Sequence, residues 1–411
     1  MRECHILGEQ GLLPHRNDWE LQLSVTRQIR VCAFTGSRAD YSHLSGVLRR
    51  LHDDPDIQLH VLASGGHLVD SQGMTVHEIE QDGVPVDERI EMVLASETPT
   101  GVGKSLGLAI IGYTEAFSRL RPDVLLVVGD RYETLAAAVA ALPHPVVIAH
   151  IGGGQLTYGS IDERARHAIS KLAHVHFVLD SADRERVVQM GEDPAMVHVV
   201  GARLAIGDLL SRQEVERVVG LPLRPPVFTV TFHPVTADEA ETRTGIEELL
   251  SGLESFTNST LIFTSPNVDI GSSYISSAIK DYVSRTAHRA AFISSLGRRR
   301  YMSLLSYSDA VIGNSSSGII EAPGLHVPSV NVGSRQAGRR RASSVVDVAC
   351  DATEITSGIK RALSIGKSNP RNPCFVDPDD DNDVILETLK NLRGRKVLAK
   401  SFNKIAETEA C

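Results

Sequence analysis

Four titratable residues follow apolar runs of the sequence, at points where a strand would give way to a loop. Asp130 comes directly after VLLVVG, and His233 comes directly after FTVTF. Asp162 and Glu163 lie just beyond PVVIAHI. Carboxylates and imidazoles act as general acids and bases, so this set is suited to moving protons. Because parallel strands end at one edge of a sheet, we expect these side chains to line one crevice.

A second set of residues is suited to binding an anion such as a diphosphate. The segment GNSSSG places Ser315 and Ser316 before IIEAPGL, where we expect backbone N–H groups at a helix N-terminus. Glu321, about one turn into that helix, is placed to accept hydrogen bonds from a sugar hydroxyl. Four arginines add positive charge: Arg38, Arg131, Arg335 and Arg339.

The loop HIGGGQLTYGSIDE, residues 150–163, joins the two sets. Its three glycines serve either a tight strand-to-helix turn or the close approach of a ligand. Gln155 offers a neutral amide, which we expect to contact substrate without exchanging protons. The loop has no titratable side chain between His150 and Asp162 except Tyr158.

Several of these residues also have a purely structural explanation. Asp130 lies in the D-x-x-E spacing of a helix cap, and Glu163 in an S-x-x-E capping box, so either carboxylate can serve the backbone. His233 precedes a proline and suits a turn. Asp162 is not needed by the capping box, and we expect it to face the crevice.

Strand-like and helix-like segments alternate twice along the chain, which predicts the elements that position these residues. IRVCAFT, IQLHVLA, DVLLVVGD and PVVIAHI belong to the first series; VFTVTF, LIFTS, AAFIS, DAVIG and PSVNV belong to the second. The pattern predicts two doubly wound, Rossmann-like α/β domains with an interdomain cleft. The expected divisions are an N-terminal extension (1–28), an N-terminal domain (29–210), a C-terminal domain (211–385), and a C-terminal helix and tail (386–411).

Composition narrows the class of protein. A chain of 411 residues with a formal charge of -9 is long enough for two domains and argues against general nucleic-acid or membrane-surface binding. The five cysteines have no C-x-x-C spacing, so neither a disulfide framework nor a zinc site is indicated. No signal-peptide pattern or long apolar run occurs, and we expect a cytoplasmic protein.

Seven segments together resemble the hydrolysing branch of the UDP-N-acetylglucosamine 2-epimerase family, which serves sialic-acid-type and legionaminic-acid precursor synthesis. They are TGSRADYSHL, VVGDRYETLAAA, GSIDERARHAISKLAHVHF, FHPVT, PNVDIGS, GNSSSGIIEAP and NVGSRQAGRRRASSVVDV, within about residues 29–350. The resemblance implies a fold like that of GT-B glycosyltransferases, with the nucleotide held mainly by the C-terminal domain. It also implies no metal or redox cofactor, and a homodimer or homotetramer.

The resemblance also implies roles for individual residues. It places Glu321 at the uridine ribose and His233 at the diphosphate and sugar. Asp130 and Asp162 match acidic residues that transfer protons at the sugar. The residues implied at the diphosphate are Arg38, Ser315, Ser316 and Arg335.

The implied reaction converts UDP-N-acetylglucosamine to N-acetylmannosamine and UDP. A base removes the C2 proton while UDP leaves, and water then adds to the resulting glycal. Family members typically have H-I-E-G-G-E or H-I-H-G-G-E, whereas this chain has Gly152 and Gln155 at the acidic or histidine positions. Three alternatives therefore stay open: a UDP-2,4-diacetamido-2,4,6-trideoxyhexose substrate, a UDP-sugar-binding protein without turnover, and, more weakly, a glycosyltransferase of related fold.

Overall fold

The computed structural model describes residues 28–96, 98–158, 160–201, 206–235, 239–267, 269–367, 378–392 and 398–404. The first 27 residues of the expected N-terminal extension lie outside this set. The strands of the first sheet are β1 (Ile29–Thr35), β2 (Ile57–Ser64), β3 (Glu88–Ile90), β4 (Val124–Val128), β5 (Val147–Ile151), β6 (Val175–Val178) and β7 (Val197–Val199). Those of the second are β8 (Val227–Thr231), β9 (Thr260–Thr264), β10 (Ala290–Ile293), β11 (Ala310–Gly313), β12 (Ser329–Val332) and β13 (Val345–Val348).

Helices connect these strands and cover both faces of the sheets. In the first half they are α1 (Arg38–Asp53), α2 (Val76–Gln81), α3 (Pro99–Leu120), α4 (Tyr132–Ala141), α5 (Asp162–Leu172) and α6 (Ser181–Gln189). In the second half they are α7 (Arg212–Val219), α8 (Glu239–Glu254), α9 (Ser272–Arg285), α10 (Gly297–Tyr307), α11 (Glu321–Gly324), α12 (Ala352–Ile365) and α13 (Pro378–Asn391).

Both sheets are entirely parallel, with the orders β3-β2-β1-β4-β5-β6-β7 and β10-β9-β8-β11-β12-β13. In each sheet the order reverses beside the first strand, which is the doubly wound arrangement expected from the sequence. Every residue of β4, β5, β8 and β9 is buried, because helices cover both faces. The predicted pair of Rossmann-like domains is confirmed.

The two faces of the first sheet have separate cores. Leu44 and Leu48 of α1 pack on one face with Leu126 of β4. On the opposite face, Leu125 and Val127 of the same strand pack with α3, α4 and Ile169 of α5. Helices α1 and α5 therefore approach the end of β4 from opposite sides, because successive side chains of a strand point to opposite faces.

The last described helix returns to the first domain. Ile385 and Leu389 of α13 lie in the core that α1 forms with the first sheet, and Lys390 Nζ lies 3.1 Å from Asp54 Oδ2. Helix α13 begins at Pro378, within the range that the sequence assigned to the C-terminal domain. Among the described helices, none combines the length and apolar character required to cross a membrane.

Candidate active site

A cleft enclosing about 140 Å³ lies between the two domains, at the carboxyl ends of their strands. Seven of the residues singled out in the sequence line it: Asp130, Arg131, Gln155, Asp162, Ser316, Arg335 and Arg339. The structure thus brings residues from both sheets to one crevice. Arg38, Glu163, His233, Ser315 and Glu321 lie outside this lining, and their contacts are described below.

Two carboxylates of the cleft have opposite protonation behaviour. Burial opposes ionisation of Asp130, but the charges of Arg166 and Arg339 lower the pKa of this carboxyl to about 2. Arg166 is 1% exposed and hydrogen-bonds to Asp130, while Arg339 Nη2 lies 3.8 Å from Asp130 Oδ2. Burial, and then the charge of Asp130, raise the pKa of Asp162 to about 6. This difference in pKa makes Asp130 a permanently ionised group and Asp162 a proton carrier.

Glu163 organises the loop. Its Oε2 accepts hydrogen bonds from Thr157 N at 2.5 Å and from Arg166 Nη1 at 2.8 Å, and its Oε1 lies 3.0 Å from His167 Nε2. Burial opposes ionisation, yet these contacts hold the pKa of Glu163 below its usual range. The side chain does not line the cleft, so its geometry favours holding Arg166 and the loop over proton transfer.

The capping alternatives for the two carboxylates do not describe the observed contacts. Helix α4 has Arg131 at its N-cap, without a side-chain cap bond, and Asp130 pairs with Arg166. Helix α5 has Ile161 at its N-cap, also without a side-chain cap bond, so Ser160 and Glu163 form no capping box. Ser160 Oγ instead donates to Asp162 Oδ2 at 2.7 Å. Asp162 therefore combines a place at the start of α5 with a place in the cleft lining.

Arg131 is paired with carboxylates on both sides of the cleft. Its guanidinium donates to both oxygens of Glu133 at 3.1 Å and to Asp269 Oδ1 of the second domain at 3.2 Å. Although burial opposes ionisation, Asp269 and Glu133 hold the pKa of Arg131 well above its usual range. The sequence suggested an anion-binding arginine, whereas the structure gives this guanidinium a bridging position between the domains.

His233 is held in a fixed position after β8. The Asn314 side chain bonds to both the N–H and the carbonyl of His233, at 2.6 and 2.8 Å, and the ring Nδ1 accepts from Asn267 N at 3.2 Å. Burial, followed by the charges of Arg335, Arg131 and Arg38, puts the pKa of His233 well below its usual range. The ring is therefore neutral at physiological pH.

The helix expected after GNSSSG is present as a short segment. Ser316–Gly318 form one 3₁₀ turn, capped by the Ser315 hydroxyl, and α11 has four residues. The expected helix N-terminus is therefore reduced to one 3₁₀ turn and a four-residue helix, in which few aligned peptide dipoles add up. Charge for an anion must therefore come chiefly from arginines.

Several buried polar atoms on the second-domain side of the cleft have no hydrogen-bond partner among the described residues. They are Glu321 Oε2, Arg335 Nε, Gln336 Oε1 and Arg339 Nε. Buried polar groups are nearly always paired in folded proteins, so this cluster is suited to a polar ligand. Arg38 stands nearby, with its Nη1 donating to Ser295 Oγ at 3.0 Å and its guanidinium carbon 5.9 Å from the Tyr301 ring centroid.

Two of the three glycines of the loop are required by the backbone conformation. Gly152 and Gly154 have φ values of +86° and +78°, where residues with a Cβ are strained. A Cβ on Gly154 would clash with the Asp183 carbonyl, whereas a Cβ on Gly152 would meet nothing nearer than Gly129 N at 3.9 Å. The turn interpretation of the glycines is therefore sufficient, and position 152 faces open space.

Four residues of the site had no role assigned from the sequence. Arg166 and Asp269 are the partners of Asp130 and Arg131, and Asp40 and His43 line the cleft from α1. The spacing of Asp40, His43 and Val47 on one helix face was the available signal. Among the described residues, no group of three or more His, Cys, Asp or Glu side chains is placed to hold a metal ion.

Comparison with known proteins identifies the family. The family model described as UDP-N-acetylglucosamine 2-epimerase matches residues 49–389. The GDP/UDP-N,N'-diacetylbacillosamine 2-epimerase (hydrolyzing) of Campylobacter jejuni is 32% identical, over 91% of this chain and 98% of the relative. The UDP-N,N'-diacetylbacillosamine 2-epimerase (hydrolyzing) of Legionella pneumophila is 35% identical, over 85% and 92%.

A solved structure supports the same fold. The Neisseria meningitidis UDP-GlcNAc 2-epimerase bound to UDP-GlcNAc superposes with a TM-score of 0.74 at 17% identity, covering 88% of this chain and 100% of that one. The GT-B-like architecture implied by the sequence is thereby confirmed. The chain belongs to the UDP-N-acetylglucosamine 2-epimerase family, among its hydrolysing members.

Proposed function

We propose that this protein removes the C2 proton of a UDP-linked 2-acetamido sugar, expels UDP and adds water at C1, which releases the 2-epimer. The observation that carries this proposal is the pair Asp130 and Asp162 at the cleft, facing Arg335 and Arg339 of the other domain. With a pKa of about 6, Asp162 is ionised near neutral pH yet basic enough to take a proton. Its role is therefore the base.

The remaining residues divide between the two ends of the substrate. Arg335, Arg339 and Ser316 contact the diphosphate from the cleft lining, with Arg38 and Ser315 beside them. Glu321, with its unpaired buried oxygen, accepts from the ribose. Neutral His233 donates a hydrogen bond at the diphosphate and sugar, and Gln155 does so at the sugar. These contacts stabilise the charge that develops on the leaving group.

Two residues that the sequence placed at the substrate have positioning roles in this proposal. Arg131 fixes the two domains against each other through Glu133 and Asp269. Glu163 holds Arg166, which in turn keeps Asp130 ionised.

The preferred substrate is a UDP-2,4-diacetamido-2,4,6-trideoxyhexose. Both relatives described above are named for such a sugar, and they are 32% and 35% identical to this chain. The cleft also has an apolar side, formed by Val47, Val200 and Ile385, which suits a sugar with a methyl group at C6. UDP-N-acetylglucosamine, giving N-acetylmannosamine, is the second candidate.

The test is to incubate the protein with each UDP-sugar in D₂O and to follow the products by NMR. We expect UDP and the free 2-epimer, with solvent deuterium at C2 of the product. Asp162→Asn serves as the control that removes the base and leaves the cleft otherwise intact. Tight binding of either UDP-sugar with no product would overturn the proposal in favour of a binding protein, and product without C2 deuterium would exclude the elimination route.

A further inference from the structure

Epimerisation at C2 needs proton carriers on both faces of the sugar ring. The C2 proton leaves from one face, and because the configuration inverts, the new proton arrives at the other. One fixed carboxylate, Asp162, cannot serve both faces. Gly152 has no side chain, the Gln155 amide does not titrate, and Tyr158 is exposed and does not line the cleft, so the loop after β5 supplies no second carrier.

The first domain places a carboxyl group on the opposite side of Asp130. Helices α1 and α5 pack on opposite faces of the first sheet, as the two cores show. Asp162 enters the cleft from the start of α5, and Asp40 enters it from the first turn of α1. Gly129 and Asp130, at the end of β4, lie between them. A sugar seated over this strand end therefore has one carboxyl group on each side.

Asp40 is buried, with 6% of its surface exposed, and it is held in place by its neighbours. Its Oδ2 accepts a hydrogen bond from Gly36 N at 3.1 Å. A Cβ built on Gly129 would stand 3.7 Å from Oδ1, so the carboxyl group lies against the residue that precedes Asp130. A Cβ on Gly152 would approach the same residue, at 3.9 Å from Gly129 N. Asp40 and Gly152 therefore both lie near Gly129, and both line the cleft.

Resting on the proposed function, we propose that Asp40 is the second catalytic residue, which delivers the proton to C2 in place of the acid missing from the loop after β5. In the first step, Asp162 takes the C2 proton, the C–H electron pair forms the C1=C2 bond, and the C1–O pair leaves with UDP. In the second step, the double-bond pair takes the Asp40 proton at C2. Water oxygen then bonds to C1 and its surplus proton goes to solvent. Asp40 then takes a proton from solvent and Asp162 releases its proton to solvent, which restores the starting state of both groups.

The electrostatic surroundings agree with this division of roles. Burial raises the pKa of Asp40 to about 7, with Arg131 lowering it and Glu133 raising it. A carboxylic acid with this pKa still carries its proton in a substantial fraction of molecules at neutral pH. Asp162, about one unit lower, is then mostly ionised. The two groups therefore suit acid and base in the same complex.

The test measures how the products of Asp40→Asn divide between the 2-acetamidoglycal and the hydrated 2-epimer. General acid catalysis contributes about 10²–10⁴-fold, so we expect hydration to slow by about 100-fold or more while UDP release continues. The glycal should become the main product. The matched control is Glu214→Gln, which removes the capping-box carboxylate of α7, and it should leave the product ratio unchanged.

Asp40 is also the third residue of α1, where a carboxylate supports the helix start, and the readouts separate that role from catalysis. If Asp40→Asn lowers glycal and epimer in equal proportion, or changes neither, the proposal is overturned. A second measurement does not depend on the variant: wild-type protein with UDP should hydrate added glycal, at a rate that falls as pH rises through about 7. A flat profile would also overturn the assignment. Wild-type protein that releases no UDP from either sugar would instead refute the proposed function.

Discussion

Replacing Asp162 by asparagine should abolish turnover and, at the same time, stabilise the folded protein above pH 6. Burial and the charge of Asp130 raise the pKa of Asp162 from 3.8 to about 6. A carboxyl group whose pKa is raised by folding favours the folded state only in its protonated form, so its ionisation costs stability as pH rises from about 4 to 6. A shift of roughly 2 units, at ~1.4 kcal/mol per unit, gives up to ~3 kcal/mol.

Asparagine keeps the acceptor that Ser160 Oγ uses at 2.7 Å, so the substitution removes mainly the charge. For 411 residues, ~3 kcal/mol corresponds to a rise of about 3–4 °C in melting temperature. The assay is thermal unfolding of both proteins at several pH values from 4 to 8, with UDP affinity and product formation measured on the same samples. We expect the difference in melting temperature to grow from pH 4 to pH 7 and then to level off.

Glu163→Gln is the matched control. Glu163 is the neighbouring residue, and its substitution should change the melting temperature in the opposite direction. Its contacts lower the pKa of Glu163 in the folded state, so the ionised carboxylate is stabilising above about pH 4.5 and its loss should lower the melting temperature. A helix-start role alone predicts that Asp162→Asn loses ~0.3–1 kcal/mol at every pH above 5. That result, or a fully active Asp162→Asn protein, would refute the reasoning.

Further predictions concern binding and rate. Arg38→Ala and Ser316→Ala should both weaken UDP binding, since a charge-assisted hydrogen bond to the diphosphate contributes ~1.5–3 kcal/mol, and Arg38→Ala should weaken it more because a full charge is also lost; calorimetry measures both. Glu321→Ala should weaken binding of UDP but not of pyrophosphate, which has no ribose, and equal losses would point to a structural role. Gln155→Glu should raise the rate of UDP release, whereas Gly152→Glu should gain less because φ at this position is +86°. Between pH 5 and 7, kcat/KM should rise as Asp162 ionises, and a profile flat across this range would contradict its role as base.

The fold was largely predictable from the sequence because buried parallel strands leave a local signal. The runs VLLVV and VIAHI are apolar throughout or nearly so, and the structure has them as β4 and β5. The short strands β3, β6, β7 and β13 were not predicted, because each has only three or four residues. Periodicity cannot identify an element of that length.

The site was predictable by residue type but not by pairing. Asp130 and Arg339 were singled out as members of separate motifs, and the structure brings both to the cleft lining. The sequence could not reveal that Arg131 is bonded to Asp269, since 138 residues separate the two. Nor could it show that Asp130 is paired with Arg166 of α5, 36 residues further along the chain. Such pairings decide which charges are available to a ligand, and they depend on how the two domains meet.

The return of α13 to the first domain makes that domain discontinuous in sequence. Ile385, Leu389 and Leu392 fill a core whose other buried members come from residues 29–200. A fragment cut at the boundary between the sheets would expose Leu44, Leu48 and their neighbours to water. The two halves should therefore be separable only as a split protein in which residues 378–392 are grafted onto the first fragment. Circular permutants that begin between the two sheets should, by contrast, keep both cores intact.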